Sequence, residues 1–123
     1  MTQAQLQVNQ NLHTLHFINS QKGFTGGQGG TILRTDNGGN TWTSVATKLR
    51  FPIIAIRFFD TNYGLAVSSA GEISATSDGG QQWTTRVKDN YGVYELKKAI
   101  IKDRNTVFGI QQASIHTYDL SAN

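Results

Sequence analysis

The chain has 123 residues, 37% of them hydrophobic and 15% charged, with 13 glycines and one proline, which describes one ordinary domain with a core and excludes disordered, collagen-like and strongly charged chains. A formal charge of +3 without a run of Lys and Arg does not describe a nucleic-acid binder. The absence of cysteine removes disulfides, thiolate metal sites and thiol nucleophiles at once.

In chain order, the segment Met1 to Leu6 has neither the basic nor the apolar stretch of a signal peptide, and no later apolar run approaches membrane-spanning length, so no membrane insertion is expected. Residues 2–8, with Gln5-Leu6-Gln7-Val8, read as an isolated strand. Residues 12–47 and 53–88 read as two copies of one unit. Trp42 and Trp83 lie 41 residues apart, and at that offset Leu15 meets Ile56, Phe17 meets Phe58, Gly23 meets Gly64, Ile32 meets Ile73 and Gly38-Gly39 meets Gly79-Gly80. Self-similarity at such a period is the mark of a repeat architecture. In the second copy, runs rich in β-branched and aromatic residues occupy 53–59, 64–69, 72–76 and 82–87. They are divided by Asp60-Thr61-Asn62, Ala70-Gly71 and Ser77-Asp78-Gly79-Gly80, all suited to tight turns.

A third, weaker copy over 93–123 aligns at an offset of 42, placing Phe58 on Ile100, Leu65 on Val107 and Ile73 on Ile115. Tyr94, Lys98 and Ile101 stand at helical spacing, but the repeat register favours a strand there. This copy ends before a tryptophan of its own. The expected fold is all-β: three four-stranded propeller blade equivalents, with residues 2–8 supplying the outer strand of the last blade. Three blades are too few to close a ring, so a homodimer with six blades is expected, or else a piece of a longer propeller.

Thr35-Asp36-Asn37-Gly38-Gly39-Asn40-Thr41-Trp42 and Thr76-Ser77-Asp78-Gly79-Gly80-Gln81-Gln82-Trp83 resemble the Asp-box, or bacterial neuraminidase repeat. The second copy matches at every defined position. In the first, Asn37 replaces the family's Asp, which predicts a looser turn. The wider pattern, over roughly 12 to 87, resembles the photosystem II stability/assembly factor-like repeat family. On the residues alone, Thr35, Asn37, Gly39 and Trp42, like Thr76, Asp78, Gly80 and Trp83, form a structural staple: a polar side chain collects turn amides, a glycine accepts positive φ, and an indole packs across sheets.

No catalytic constellation emerges. Gly26-Gly27-Gln28-Gly29-Gly30 reads as a hairpin turn, since no Lys-Ser/Thr follows it. His13 and His16 point to opposite faces of a strand and cannot share an ion, and the calcium-like run at Asp36 lacks the ligand spacing and terminal Glu. Ser114 and His116 share a face, with no acid placed to orient the imidazole. No enzyme activity, cofactor or metal is therefore expected. Lys97, Lys98, Lys102 and Arg104, with Tyr91 and Tyr94, are the candidate surface for an acidic protein partner. The resemblance implies a protein-binding or assembly scaffold and favours an extracytoplasmic setting. A glycan-binding module stacking sugars on Tyr63, Tyr91 or Tyr94 is the alternative.

Overall fold

A computed structural model describes residues 10–88 and 95–121; the expected blade-closing strand at 2–8 and the tyrosines at 91 and 94 lie outside them. The described residues form three antiparallel meanders. The first contains β1 (Leu12–Phe17), β2 (Gly23–Gly27), β3 (Ile32–Thr35) and β4 (Thr43–Val45). The second contains β5 (Ile53–Phe58), β6 (Gly64–Ser68), β7 (Ile73–Thr76) and β8 (Thr84–Val87). The third contains β9 (Lys98–Asp103), β10 (Thr106–Gln111) and β11 (Ser114–Asp119), paired in the order β9-β10-β11. The glycine cluster ends β2 and leads through a single 3-10 turn, Gln28–Gly30, into β3, as its hairpin reading requires.

The first strands of the sheets lie next to one another, and the sheets stack face on face like propeller blades. Between the first and second blades, Phe24 and Ile32 meet Ile53, Ile56, Phe58, Ala66 and Trp83. Between the second and third, Leu65, Val67, Ile73 and Ala75 meet Ala99, Ile101, Val107 and Leu120. Alternation explains the division of labour, since each strand sends successive side chains to opposite faces. The second blade thus turns a forward face to the third and a rear face to the first. The central strands β6 and β7 are buried on both faces and lack the polar alternation of a one-sided sheet.

The third copy does not follow an offset of 42 throughout. Phe58 pairs with Gly64 around a turn in which Asp60 accepts the Asn62 amide. Ile101 pairs with Val107 around a turn of the same length, in which Asp103 accepts the Asn105 amide. The offset there is 43, so Ile101 and Phe108, rather than Ile100 and Val107, match Phe58 and Leu65. Ile115 still matches Ile73, because Ile110 pairs with Ile115 across a hairpin one residue shorter than that joining Val67 to Ile73. A one-residue slip exchanges the two faces of a strand, so the offset of 43 decides which residues of the third blade point outward.

Candidate functional site

The two boxes close their turns in the same way. Thr76 Oγ1 donates to Asp78 Oδ1 at 2.9 Å and accepts the Gly80 amide at 2.9 Å, while Asp78 Oδ1 also accepts the amides of Gln81 and Gln82. In the first box Thr35 Oγ1 reaches Asn37 Oδ1 at 3.0 Å and accepts the Gly39 amide at 3.0 Å, and Asn37 Oδ1 accepts the Thr41 amide. Asn37 thus collects one turn amide where Asp78 collects two, which is the loosening expected of the first box. Its amide nitrogen, which no carboxylate possesses, donates to Thr41 Oγ1 at 2.8 Å and adds a bond of its own. The indoles donate to the carbonyls of Gly39 and Gly80 at 3.0 and 3.1 Å. Gly80 has a φ of 88° and packs so close to the Phe24 ring that a methyl group would run into it, so the box also sets the spacing between blades.

These turn bonds hold the carboxyl of Asp78 below the usual range, the Gln82 amide contributing most. Asp60 lies lower still, at about 2 against an ordinary 3.8, through the Tyr63 amide, the Arg104 guanidinium and the Asn62 amide. A depressed folded-state pKa gives stability that is complete above the unfolded value and is lost as pH falls through the folded one. Acid unfolding is therefore expected to begin below about pH 4. Asp78→Asn is expected to cost no more than about 1 kcal/mol, the worth of one hydrogen bond, because Asn37 already performs the task and the bonds to Asp78 converge on a single oxygen. The variant should also lose part of the acid sensitivity. Acid titration followed by tryptophan fluorescence checks both statements, and collapse of the fold at neutral pH contradicts them.

The meander topology gathers the aspartates at one end, where Lys22, Lys102 and Arg104 also lie. Every aspartate among the described residues lies where β3, β5, β7, β9 or β11 finishes, at Asp36, Asp60, Asp78, Asp103 and Asp119. The opposite end, with the β6–β7 hairpin and the links between blades, carries Lys48, Arg50, Lys88, Lys97 and Lys98. Hydrogen bonds fix these links to one hairpin: Ser69 donates to the Pro52 carbonyl, Leu96 donates to the Ser69 carbonyl, and Glu72 accepts the Arg50 and Phe51 amides. Glu72 is buried, its carboxylate collecting the amides of Arg50 and Phe51 at 3.2 Å each. With Glu72 buried, exposed Glu95 faces five cations at this end, which is therefore basic on balance. Two clefts open on it, one of about 630 Å³ bordered by Lys48, Arg50, Lys88, Glu72 and Trp83, the other of about 390 Å³ bordered by His13, Ser69, Glu95, Lys97 and Lys98.

The four cations singled out in the sequence do not form one patch. Lys97 and Lys98 precede and open β9, whereas Arg104 follows its far end, about 20 Å away at strand rise. Arg104 donates to Asp60 Oδ2 at 2.8 Å and lies 4.9 Å above the centre of the Tyr63 ring; Lys102 lies over Phe108. A guanidinium thus covers one face of the Tyr63 ring. A bulge between Leu12 and Thr14 interrupts the alternation that was expected to part His13 from His16. His16 accepts the Phe58 amide at 3.2 Å and is held below its usual pKa by burial and then by Arg57. His116 bonds Gln111 at 2.9 Å.

The sequence reading overlooked Lys48, Arg50, Lys88 and Glu72. The cations are dispersed along the chain, and their only shared signal is a place on or beside a link between strand meanders. Glu72 had a clearer sign, an acid beside Gly71 inside a run of small, strand-forming residues.

Solved structures with this stacking of blades include one described as YCF48 bound to D1 peptide, 22% identical with a TM-score of 0.75 over 97% of this chain. Another is YCF48 from Cyanidioschyzon merolae, 17% identical with a TM-score of 0.68 over 99% of this chain. The chain spans 41% of the length of each. No curated protein matches it. A family model described as photosynthesis system II assembly factor YCF48 matches residues 1–108, and with the paired Asp-boxes and stacked blades in place, the chain belongs to that family.

Proposed function

We propose that this protein is a non-enzymatic scaffold that binds an acidic segment of a partner protein across its basic end. The excess of cations at one end carries this reading: Lys48, Lys88, Lys97 and Lys98 border clefts there beside exposed Glu95, while at the other end the aspartates stand among Lys22, Lys102 and Arg104. A related structure holds a D1 peptide, which supports a peptide as the ligand class. Lys97 and Lys98 are the retained members of the cation group read from the sequence; Lys102 and Arg104 serve as the far-end comparison.

Binding of a fluorescent acidic peptide tests the proposal. Lys97→Glu with Lys98→Glu is expected to weaken binding on the order of tenfold or more, equivalent to about 1.4 kcal/mol or above. Added salt should narrow the difference, because exposed charges are screened. Charge reversal at Lys102 should have little effect. Equal losses at both ends, or no loss at Lys97 and Lys98, would contradict the assignment.

A further inference from the structure

The cleft of about 630 Å³ at the basic end does not stop at its own rim. A hollow of about 300 Å³ continues it toward the opposite end, and Lys48, Trp83 and Thr84 border both. Together they form one groove at the joint between the first and second blades. One wall is the link from β4 to β5, and the other is β8, the outer strand of the second blade. The link is fixed from several sides. Thr47 Oγ1 donates to the Gly30 carbonyl at 2.9 Å and accepts the Leu49 amide at 3.3 Å, Leu49 is buried, and Glu72 holds the Arg50 and Phe51 amides. β8 leaves the groove open, because Thr84 and Thr85 are small and Arg86 reaches away to donate to the Leu120 carbonyl of the third blade at 2.9 Å. Walls held in place before a ligand arrives reduce the ordering cost of binding.

Charge is graded along this groove. At the basic end Lys48, Arg50 and Lys88 border it, against the single buried carboxylate of Glu72, which two link amides already occupy. Beyond Trp83 and Lys48 the lining is uncharged, with Ala46, Thr47, Gln81 and Gln82. Lys48 and Lys88 are exposed, one on each wall. We infer that the acidic segment is anchored in this groove in extended form, its carboxylates among Lys48, Arg50 and Lys88 and an apolar, uncharged stretch running over Trp83 toward Gln81 and Gln82. An elongated groove with cations at one end and an indole midway fits a chain segment better than a bare anion, which would leave the uncharged half empty. The inference rests on the acidic-segment reading above and adds where the segment lies and which of its ends is charged.

Binding of a fluorescein-labelled peptide, Thr-Leu-Thr-Glu-Glu-Glu, tests it. Lys48→Glu with Lys88→Glu should weaken binding on the order of tenfold or more, as should Thr85→Phe, which fills the groove without changing its charge. Serine in place of the peptide's leucine should weaken binding to wild type by about threefold or more, the worth of a partly buried leucine. An unchanged urea midpoint certifies the fold of each variant, and Thr84→Phe replaces Thr85→Phe if the latter fails it. Losses only with Lys97→Glu and Lys98→Glu, while the Lys48, Lys88 and Thr85 variants bind as wild type does, overturn the groove and leave the acidic-segment reading standing. Losses on charge reversal but not with Thr85→Phe, or equal affinity for the serine peptide, overturn the seated segment in favour of attraction by the basic end as a whole. A wild type that binds neither peptide overturns both the groove and the reading beneath it.

Discussion

Replacing Trp83 by alanine is expected to remove about 3–5 kcal/mol of folding stability, whereas the same change at Trp42 should remove about 1–2 kcal/mol from the isolated chain. The two tryptophans end equivalent boxes and make equivalent bonds to a glycine carbonyl. Their surroundings differ. Trp83 stands edge-on to Phe58 of its own blade at 5.9 Å and to Phe24 of the preceding blade at 6.2 Å. Phe24 and Phe58 are themselves stacked at 4.6 Å, so the indole closes a three-ring cluster that joins two sheets. Trp42 has Phe17 of its own blade at 6.1 Å and remains half-buried. A typical domain has only about 5–15 kcal/mol to lose, so the first variant should be marginal at room temperature. Urea unfolding of each variant, followed through its remaining tryptophan, measures both changes. Equal losses would show that the staple works within a blade and does not depend on the contact between blades.

Glu72→Ala is expected to cost about 2–5 kcal/mol, because the amides of Arg50 and Phe51 lose their acceptor and an unsatisfied buried donor costs about 1–3 kcal/mol. The loss is concentrated at the joint between blades. Residues 50 and 51 form the link that brings the chain from β4 to β5, and Glu72, on the β6–β7 hairpin, holds that link in place. The hairpin is prepared for the task, since Ser68 Oγ accepts the amides of Ala70 and Glu72. The Arg50 side chain approaches the carboxylate only at 4.0 Å and is itself largely exposed, so the backbone amides carry most of the interaction. Glu72→Gln, which retains one carbonyl acceptor, should recover more than half of the loss. Thermal unfolding should record a fall on the order of 10 °C for the alanine variant in a chain of this size. If alanine and glutamine behave alike and both are mild, the carboxylate is not what secures the link.

The first two blades were legible in the sequence almost strand for strand. Their signals are local: β-branched runs, an Asx turn after the first strand of each unit, and glycines that accept positive φ in the box. The staple roles of Thr76 and Trp83 followed from the same short motif. The third blade was legible in kind, while its register was not. A single residue missing from the β10–β11 hairpin shifts the alignment within the copy, and composition cannot say on which side of the shift Ile100 or Val107 falls.

The candidate site depended on more distant relations. Lys97 and Arg104 are neighbours in the sequence, yet a strand lies between them and carries them to opposite ends of the sheet. Lys48 and Lys98 are far apart in the sequence, yet consecutive blade links return the chain to the same end. By itself, then, the sequence determined the repeat, the turns and the tryptophan staples, because each depends on bonds among residues within a few positions of one another. Only the tertiary structure decided which cations share a face and that Glu72 secures a link. Those properties depend on strand pairing and blade stacking, where a shift of one residue turns a side chain from the core to the solvent.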